Sequence, residues 1–167
     1  MPQLTRGRYI IYIDASFGGT DPDWVKIGKG IESLQVDLSP DVSVAKDITD
    51  EVTATDNGYT PQTNVDPFYA NPDDKIYSKI KDIAMNRLVG AACRTQLMEV
   101  IVEDETEDAH EAWTENVLVK PTSTGGGTDG FTIPYDVYFD GGRTVGTVSY
   151  PDKDYKKGTP TFEETKA

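Results

Sequence analysis

Cysteine and histidine each occur once, as Cys93 and His110. A lone thiol forms no internal disulfide and fits synthesis in a reducing cytoplasm. One Cys and one His also leave the ordinary nucleophile and zinc constellations short of parts, so an enzyme is disfavoured and no cofactor or metal is expected. Positive charge is scarce too: 16 Lys+Arg face 29 Asp+Glu across 167 residues, a formal net charge of −13. Nucleic-acid grips rest on Lys and Arg neutralising phosphates, and this chain repels them. An anionic membrane surface would be repelled equally. No apolar run approaches the ~20 residues that span a bilayer, and residues 1–14 hold neither a signal-peptide apolar core nor a small-residue cleavage site. Apolar residues make up only 37% of a chain whose length, at roughly 150 residues per domain, corresponds to one domain. A thin core, long polar loops or apolar surface supplied by neighbouring copies would each account for that.

What is present reads mainly as strands. Residues 8–13 (RYIIYI) are aromatic and β-branched. The stretch 24–38 alternates in period two, with Leu34, Val36 and Leu38 on one face, and is expected as a strand. Thr95–Glu103 and Asn116–Pro121 are further strands, with a loop or short helix between them. Phe131–Asp140 and Thr144–Tyr150 flank Gly141-Gly142 and read as a β-hairpin. One helix is expected over about 72–89, capped by Asn71, with Pro72 in its first turn and Gly90 just beyond its end. Ile76, Ile80, Ile83, Ala84 and Leu88 form one apolar stripe along it, a packing or interface face.

Residues 39–70 hold Pro40, Pro61 and Pro67 with only short apolar pieces, although Val42–Val44 and Ile48–Val52 could pair as brief strands. Long irregular loops in compact domains are usually functional or disordered. Tyr59, Val65, Phe68 and Tyr69 argue for an arm that orders against another subunit, the alternative being a mobile surface loop. Residues 151–167 carry mixed charge with Pro151, Gly158 and Pro160 and are expected as a loose polar tail after a domain over 1–150. The sum is a mainly β chain: a β-sandwich or barrel with one flanking helix and a long inter-subunit loop.

Four motifs are weak. Gly28-Lys29-Gly30-Ile31-Glu32-Ser33 opens like a dinucleotide fingerprint but lacks the third glycine and the following helix. Gly125-Gly126-Gly127-Thr128-Asp129-Gly130 has no phosphate-binding lysine and suits a turn. Asp104–Glu115 resembles a calcium loop, yet Ala109 stands where the sharp turn needs glycine. Cys93 and His110 as a nucleophile–base pair would set a commonplace buried thiol against a histidine in an acidic, exposed run.

The charge distribution says more. No Lys or Arg occurs between Lys46 and Lys75 or between Arg94 and Lys120, and these two segments together carry −15. Glu103, Asp104, Glu105, Glu107, Asp108 and Glu111 dominate the second. They are either solvated loops or a surface that docks on a basic partner or holds a polyanion at a distance.

In order and phrasing the parts resemble a bacteriophage major tail (tail tube) protein of long-tailed phages, over about residues 24–150. The resemblance rests on WVKIGKGIESLQVDLSPDVSVAKDITDEV, DNGYTPQTNVDPFYANPDDKIYSKIKDIA and NVLVKPTSTGGGTDGFTIPYDVYFDGGRTVGTVSY. It implies a structural virion protein, made in the host cytoplasm, whose hexameric rings stack into a tube for genome DNA. Type VI secretion tube proteins are similar in fold. The implied partners are further copies of the chain and tail terminator, tape-measure and baseplate or tip proteins, with no catalytic residues to carry over. The 39–70 arm would then reach a neighbouring ring, and the acids at 103–111 would line a ring rim or the lumen without binding DNA. The competing class is a small acidic ligand- or carbohydrate-binding module, for which Trp24 and Trp113 are the only large platform candidates.

Overall fold

The computed structural model describes residues 3–165. Along them run β1 (Tyr9–Asp14), β2 (Trp24–Lys26), β3 (Val36–Asp37), β4 (Pro40–Lys46), β5 (Val52–Tyr59), β6 (Gln62–Val65), α1 (Tyr77–Asn86), β7 (Arg94–Ile101), β8 (Ala109–Pro121), β9 (Tyr135–Phe139), β10 (Thr144–Ser149) and β11 (Thr161–Glu164). The protein is mainly β, a curled half-barrel sheet with a single α-helix. Nine strands form one antiparallel sheet in the order β2-β1-β7-β8-β9-β6-β3, and β10 joins β8 to β11 beside that path. β4 and β5 form a separate two-stranded sheet.

Alternate residues of the central strands point to opposite faces, and both faces are covered. Ile11, Ile13, Leu97, Val117 and Val119 join Val65, Phe68, Ile80 and Tyr135 in the inner core. α1 lies over this core through Ile80, with Ile83 also buried on the helix, and Ile76 joins the core from the turn just before. On the other face Ile10, Tyr12, Met98, Val100, Ala112 and Val148 pack under Tyr150 and Tyr155. The loose tail expected over 151–167 is therefore corrected across its described part. β11 pairs with β10, the Tyr12 and Tyr150 hydroxyls share a 2.8 Å hydrogen bond, and Tyr155 Oη donates to Glu105 Oε1 at 2.8 Å. Residues 166–167 lie outside the described residues.

Three other expectations are revised. The helix spans Tyr77–Asn86 rather than 72–89, because the preceding polar side chains cap turns of their own. Asn71 Oδ1 accepts from the Asp73 amide at 3.0 Å and Asp74 Oδ1 from the Ile76 amide at 3.2 Å. At the far end Arg87, not Gly90, takes the left-handed position, and the Leu88 amide donates back to the Ile83 carbonyl at 3.1 Å. The strand expected over 24–38 is broken into β2 and β3, since Gly28 and Gly30 turn the chain at φ 122° and 79°. Leu34 still reaches the core from the irregular segment between them.

The hairpin at Gly141-Gly142 is absent, since β9 and β10 do not pair with each other. Both run antiparallel to β8 in the same direction, β9 along its second half (Val117↔Phe139) and β10 along its first (Thr144↔Thr114). Residues 140–143 bulge opposite Glu115 and Asn116. The Asp140 amide donates to the Asn116 carbonyl at 2.7 Å, and the Asn116 amide donates to the Gly141 carbonyl at 3.0 Å. These bonds hold the glycines in a bulge instead of a reversal. A Cβ on Gly142 would meet Asn116 Nδ2 at 2.7 Å, so the turn residues serve close approach to β8.

Tyr135 is fully buried against Phe68, ring centroids 5.4 Å apart, and its hydroxyl has no hydrogen-bond partner among the described residues. Burial, followed by the charge of Asp74, pushes that hydroxyl above the ordinary tyrosine range. An unsatisfied buried hydroxyl costs about 1–3 kcal/mol. Tyr135→Phe is therefore expected to stabilise the protein by about 1 kcal/mol, read as a rise of roughly 2–4 °C in the thermal unfolding midpoint.

Candidate assembly surfaces

Within the expected arm, the brief strands open to Val42–Val44 and Ile48–Val52 are realised as a longer, projecting β-ribbon. β4 and β5 pair from Lys46↔Val52 to Pro40↔Tyr59, and neither strand bonds to the main sheet. Directly opposed residues share a face, so Val42, Val44, Val52 and Ala54 line one side of the ribbon, with Lys46 and Asp56 at its ends. The other side carries Ser43, Ala45, Thr53 and Thr55. Val42, Val44 and Val52 are all exposed, and Ile48 at the tip is fully so. The tip is rigidly closed: Asp47 Oδ1 accepts from the amides of Thr49 at 2.8 Å and Glu51 at 3.2 Å, and Asp50 takes the left-handed conformation at φ 67°. Its hydrogen bonds, first those from Thr49, hold the Asp47 carboxyl below the usual carboxylate range.

The four residues expected on the arm divide. Tyr59, at the base of the ribbon, and Tyr69, which bridges to Thr132, are exposed. Val65 and Phe68 lie in the chain's own core, because β6 joins the main sheet through Val65↔Tyr135. They are thus removed from any interface. Ile76, Ile80 and Ile83 are buried inward, and Leu88 is half-buried past the helix end. That stripe is occupied within this chain.

The acids at 103–108 occupy the turn between β7 and β8. Glu103, Asp104, Glu105, Glu107, Asp108 and Glu111 are all exposed. Asp104 Oδ1 accepts the Thr106 amide at 2.9 Å and the Thr106 hydroxyl at 2.7 Å. Two cations brace the turn, Arg8 on Glu105 at 3.0 Å and Lys153 on Asp108 at 3.2 Å. Tyr155 and then Arg8 hold Glu105 below the usual carboxylate range, and the Thr106 bonds do the same for Asp104. Residues 109–115 are part of β8 and not a loop or helix. His110 is consequently buried beside Tyr150, at 6.1 Å between rings, and not exposed.

The Cys93–His110 pairing is excluded by position. Cys93 is buried where its thiol donates to the Leu88 carbonyl at 3.2 Å, with Lys120 Nζ 3.7 Å away. Lys120 and His110 stand ten residues apart on β8, roughly 33 Å at the rise of an extended strand. Gly28–Ser33 precedes no helix, and Gly125 pairs with Thr132 in a turn. Among the described residues no group of three His, Cys, Asp or Glu side chains is placed to hold a metal ion.

Sequence reasoning missed a polar network at the open end of the inner face. Arg143 Nη1 donates to Glu99 Oε1 and Glu115 Oε1, each at 3.1 Å. The Tyr9 hydroxyl donates to Glu99 Oε2, and the Gly141 amide donates to Glu115 Oε2 at 3.3 Å. All four carboxylate oxygens therefore have a donor. Burial, then the bond to and charge of Glu99, push the Tyr9 hydroxyl above the ordinary tyrosine range. Burial works against the Arg143 charge, but Glu99 and Glu115 outweigh it and raise the guanidinium pKa. Glu99 and Arg143 border a cleft of about 620 Å³ that also takes in Leu34–Val36. The signal in the sequence was two acids, Glu99 and Glu115, in the same alternation as apolar Leu97, Val117 and Val119.

No family model matches the chain, and no curated protein sequence matches it. Solved structures do resemble it. One is the sheath/tube terminator of PVC, an extracellular contractile injection system, in its extended state: TM-score 0.51, 12% identity, 87% of this chain and 97% of that one covered. Another is the tube-terminating cap of the anti-feeding prophage: TM-score 0.52, 12% identity, 87% of this chain and 91% of that one. The chain thus shares a fold with tube-terminating structural proteins of contractile injection systems.

Proposed function

We propose that this chain is a structural protein of a phage-tail-like particle, assembling as a ring on or within the tail tube. The observation that carries the reading is the β4–β5 ribbon. Isolated two-stranded hairpins are marginal in water, and this one presents Val42, Val44, Val52 and Ile48 to solvent with no other described residue covering them. An apolar side left open in this way favours cover by another molecule.

Within that reading, hexameric rings and passage of DNA are the specific form proposed. An acidic surface holds off the duplex beyond a Debye length, ~8 Å at physiological salt, so a conduit of this composition does not grip what passes. The fold shared with tube terminators favours a position at the tube end over a stacked tube subunit. The binding-module alternative is weakened because Trp24 packs against the outer core and Trp113 lies 5.8 Å from the Arg143 guanidinium, both only half-exposed. Neither offers an open platform.

Negative-stain microscopy of the purified chain at high concentration tests the proposal. Discrete rings support the terminator form, and tubes that lengthen with concentration support the stacked-subunit form. Monomers at every concentration, alone and with tail tubes, overturn both.

A further inference from the structure

A second surface complements the ribbon tip. Between β1 and the irregular segment after β2 lies a cleft of about 470 Å³. Its apolar wall includes Ile27, Ile31 and Leu34, and its rim holds Arg6, Lys26 and Lys29 against the single acid Glu32. In a chain of net charge −13 this is a local reversal of sign. None of the three cations is in an ion pair among the described residues. Arg6 is nonetheless fixed: its guanidinium donates to the carbonyls of Tyr9 at 2.6 Å and Leu34 at 3.0 Å and lies 5.2 Å from the Tyr9 ring centroid. The two lysines are exposed.

The ribbon tip has the opposite make-up. Ile48 is fully exposed, and Asp47, Asp50 and Glu51 surround it in a turn held closed by its own hydrogen bonds. Lys46 is the one cation there, paired with Asp50 at 3.2 Å. An aliphatic anchor ringed by acids fits an apolar cleft rimmed by cations, the arrangement of a dry interface centre with a polar margin.

We propose that the cleft formed by Arg6, Lys26, Lys29, Ile27 and Ile31 receives the β4–β5 tip of a second copy, with Ile48 as the anchor. This rests on the assembly reading above and names the surfaces that carry it. Because tip and cleft are different patches, the contact is head-to-tail, and repetition generates a closed ring or an open helical array. The like net charge of two copies opposes contact, so only charges brought close together can favour it, within the ~8 Å over which charge is felt at physiological salt.

Sedimentation velocity of the full chain at physiological salt tests the assignment, with circular dichroism melts confirming that every variant is folded. All substituted side chains are exposed, so the melts are expected to be unchanged. Ile48→Ser and the pair Lys26→Glu with Lys29→Glu are each expected to weaken self-association at least tenfold. Glu51→Lys should weaken it several-fold. Mixing the Lys26→Glu/Lys29→Glu chain with the Glu51→Lys chain should restore association in part. The unaltered cleft of the second chain then meets the unaltered tip of the first, and the acidic cleft of the first meets a tip that is no longer net negative. Unchanged association of the cleft variants, in a chain whose association is lost when the ribbon is removed, overturns the cleft while leaving the assembly reading intact. A wild-type chain that stays monomeric throughout overturns the cleft, while the assembly reading falls only if microscopy with tail tubes also shows monomers.

Discussion

Replacing residues 41–58 with a two-glycine link is expected to abolish assembly while leaving the thermal unfolding midpoint within a few degrees of the parent. The ribbon strands bond only to each other, and their apolar side touches no core residue, so excision uncovers nothing. The cut ends also lie together: Pro40 and Tyr59 are cross-strand partners, and the Thr60 amide donates to the Ser39 carbonyl at 3.4 Å. Extending the deletion to 69 should instead unfold the protein. That deletion takes β6 out of the sheet and removes Val65 and Phe68 from the inner core, and losing one large core side chain alone costs about 3–5 kcal/mol. Circular dichroism melts and negative-stain images of the two deletions separate an assembly element from a folding element. A ribbon deletion that still forms rings or tubes would refute the role given to it.

Arg143→Ala has the largest expected effect of any single substitution at the polar network. It leaves Glu99 and Glu115 facing each other across the inner face, their side chains only 11% and 9% exposed. Removing one member of a fully buried ion pair costs about 3–5 kcal/mol. The Arg143 side chain is 43% exposed, and solvent screening lowers the figure to about 2–3 kcal/mol. For a chain of this length that is a fall of roughly 5–10 °C in the unfolding midpoint. Adding Glu99→Gln to Arg143→Ala should recover part of the loss by removing one of the unpaired charges. If the double variant melts no higher than the single one, packing of the arginine stem, and not its charge, is what stabilises this region.

The parts of the fold that were legible share one property: a single local period decided them. Ile76, Ile80 and Ile83 repeat at helical spacing, and the structure buries all three, while the ends of the helix were displaced by Asn71, Asp74 and Arg87. The centre of β1 needed only its run of aromatic and β-branched residues. Where two signals competed, the louder one misled. In Asp104–Glu115 the density of acids hid a period-two pattern in which His110, Ala112 and Thr114 are all buried, on the face covered by Tyr150. At Gly141-Gly142 the local turn chemistry favoured reversal, but the long-range partner Asn116 claimed the backbone groups that a hairpin would have used. The candidate surfaces were legible only in part. The ribbon announced itself through Val42, Val44 and Val52 set among polar residues, although Val65 and Phe68 were grouped with it by proximity in sequence. The Glu99–Glu115–Arg143 network joins positions up to 44 residues apart, and nothing local selects those two among 29 acids.

The pairing of one long strand with two collinear ones makes the main sheet branch at β8, and a branched sheet has three ends. β2, β3 and β11 each pair on one side only, and they are three, two and four residues long. Such short margins offer little template for strand addition. The ribbon differs: its strands are seven and eight residues long, and each has a free side. Main-chain pairing between molecules, where it occurs, is therefore steered away from the body of the protein and onto its one projecting element. The branch leaves the body with short margins alone, and the long free edges belong to a ribbon that bonds to no strand of that body.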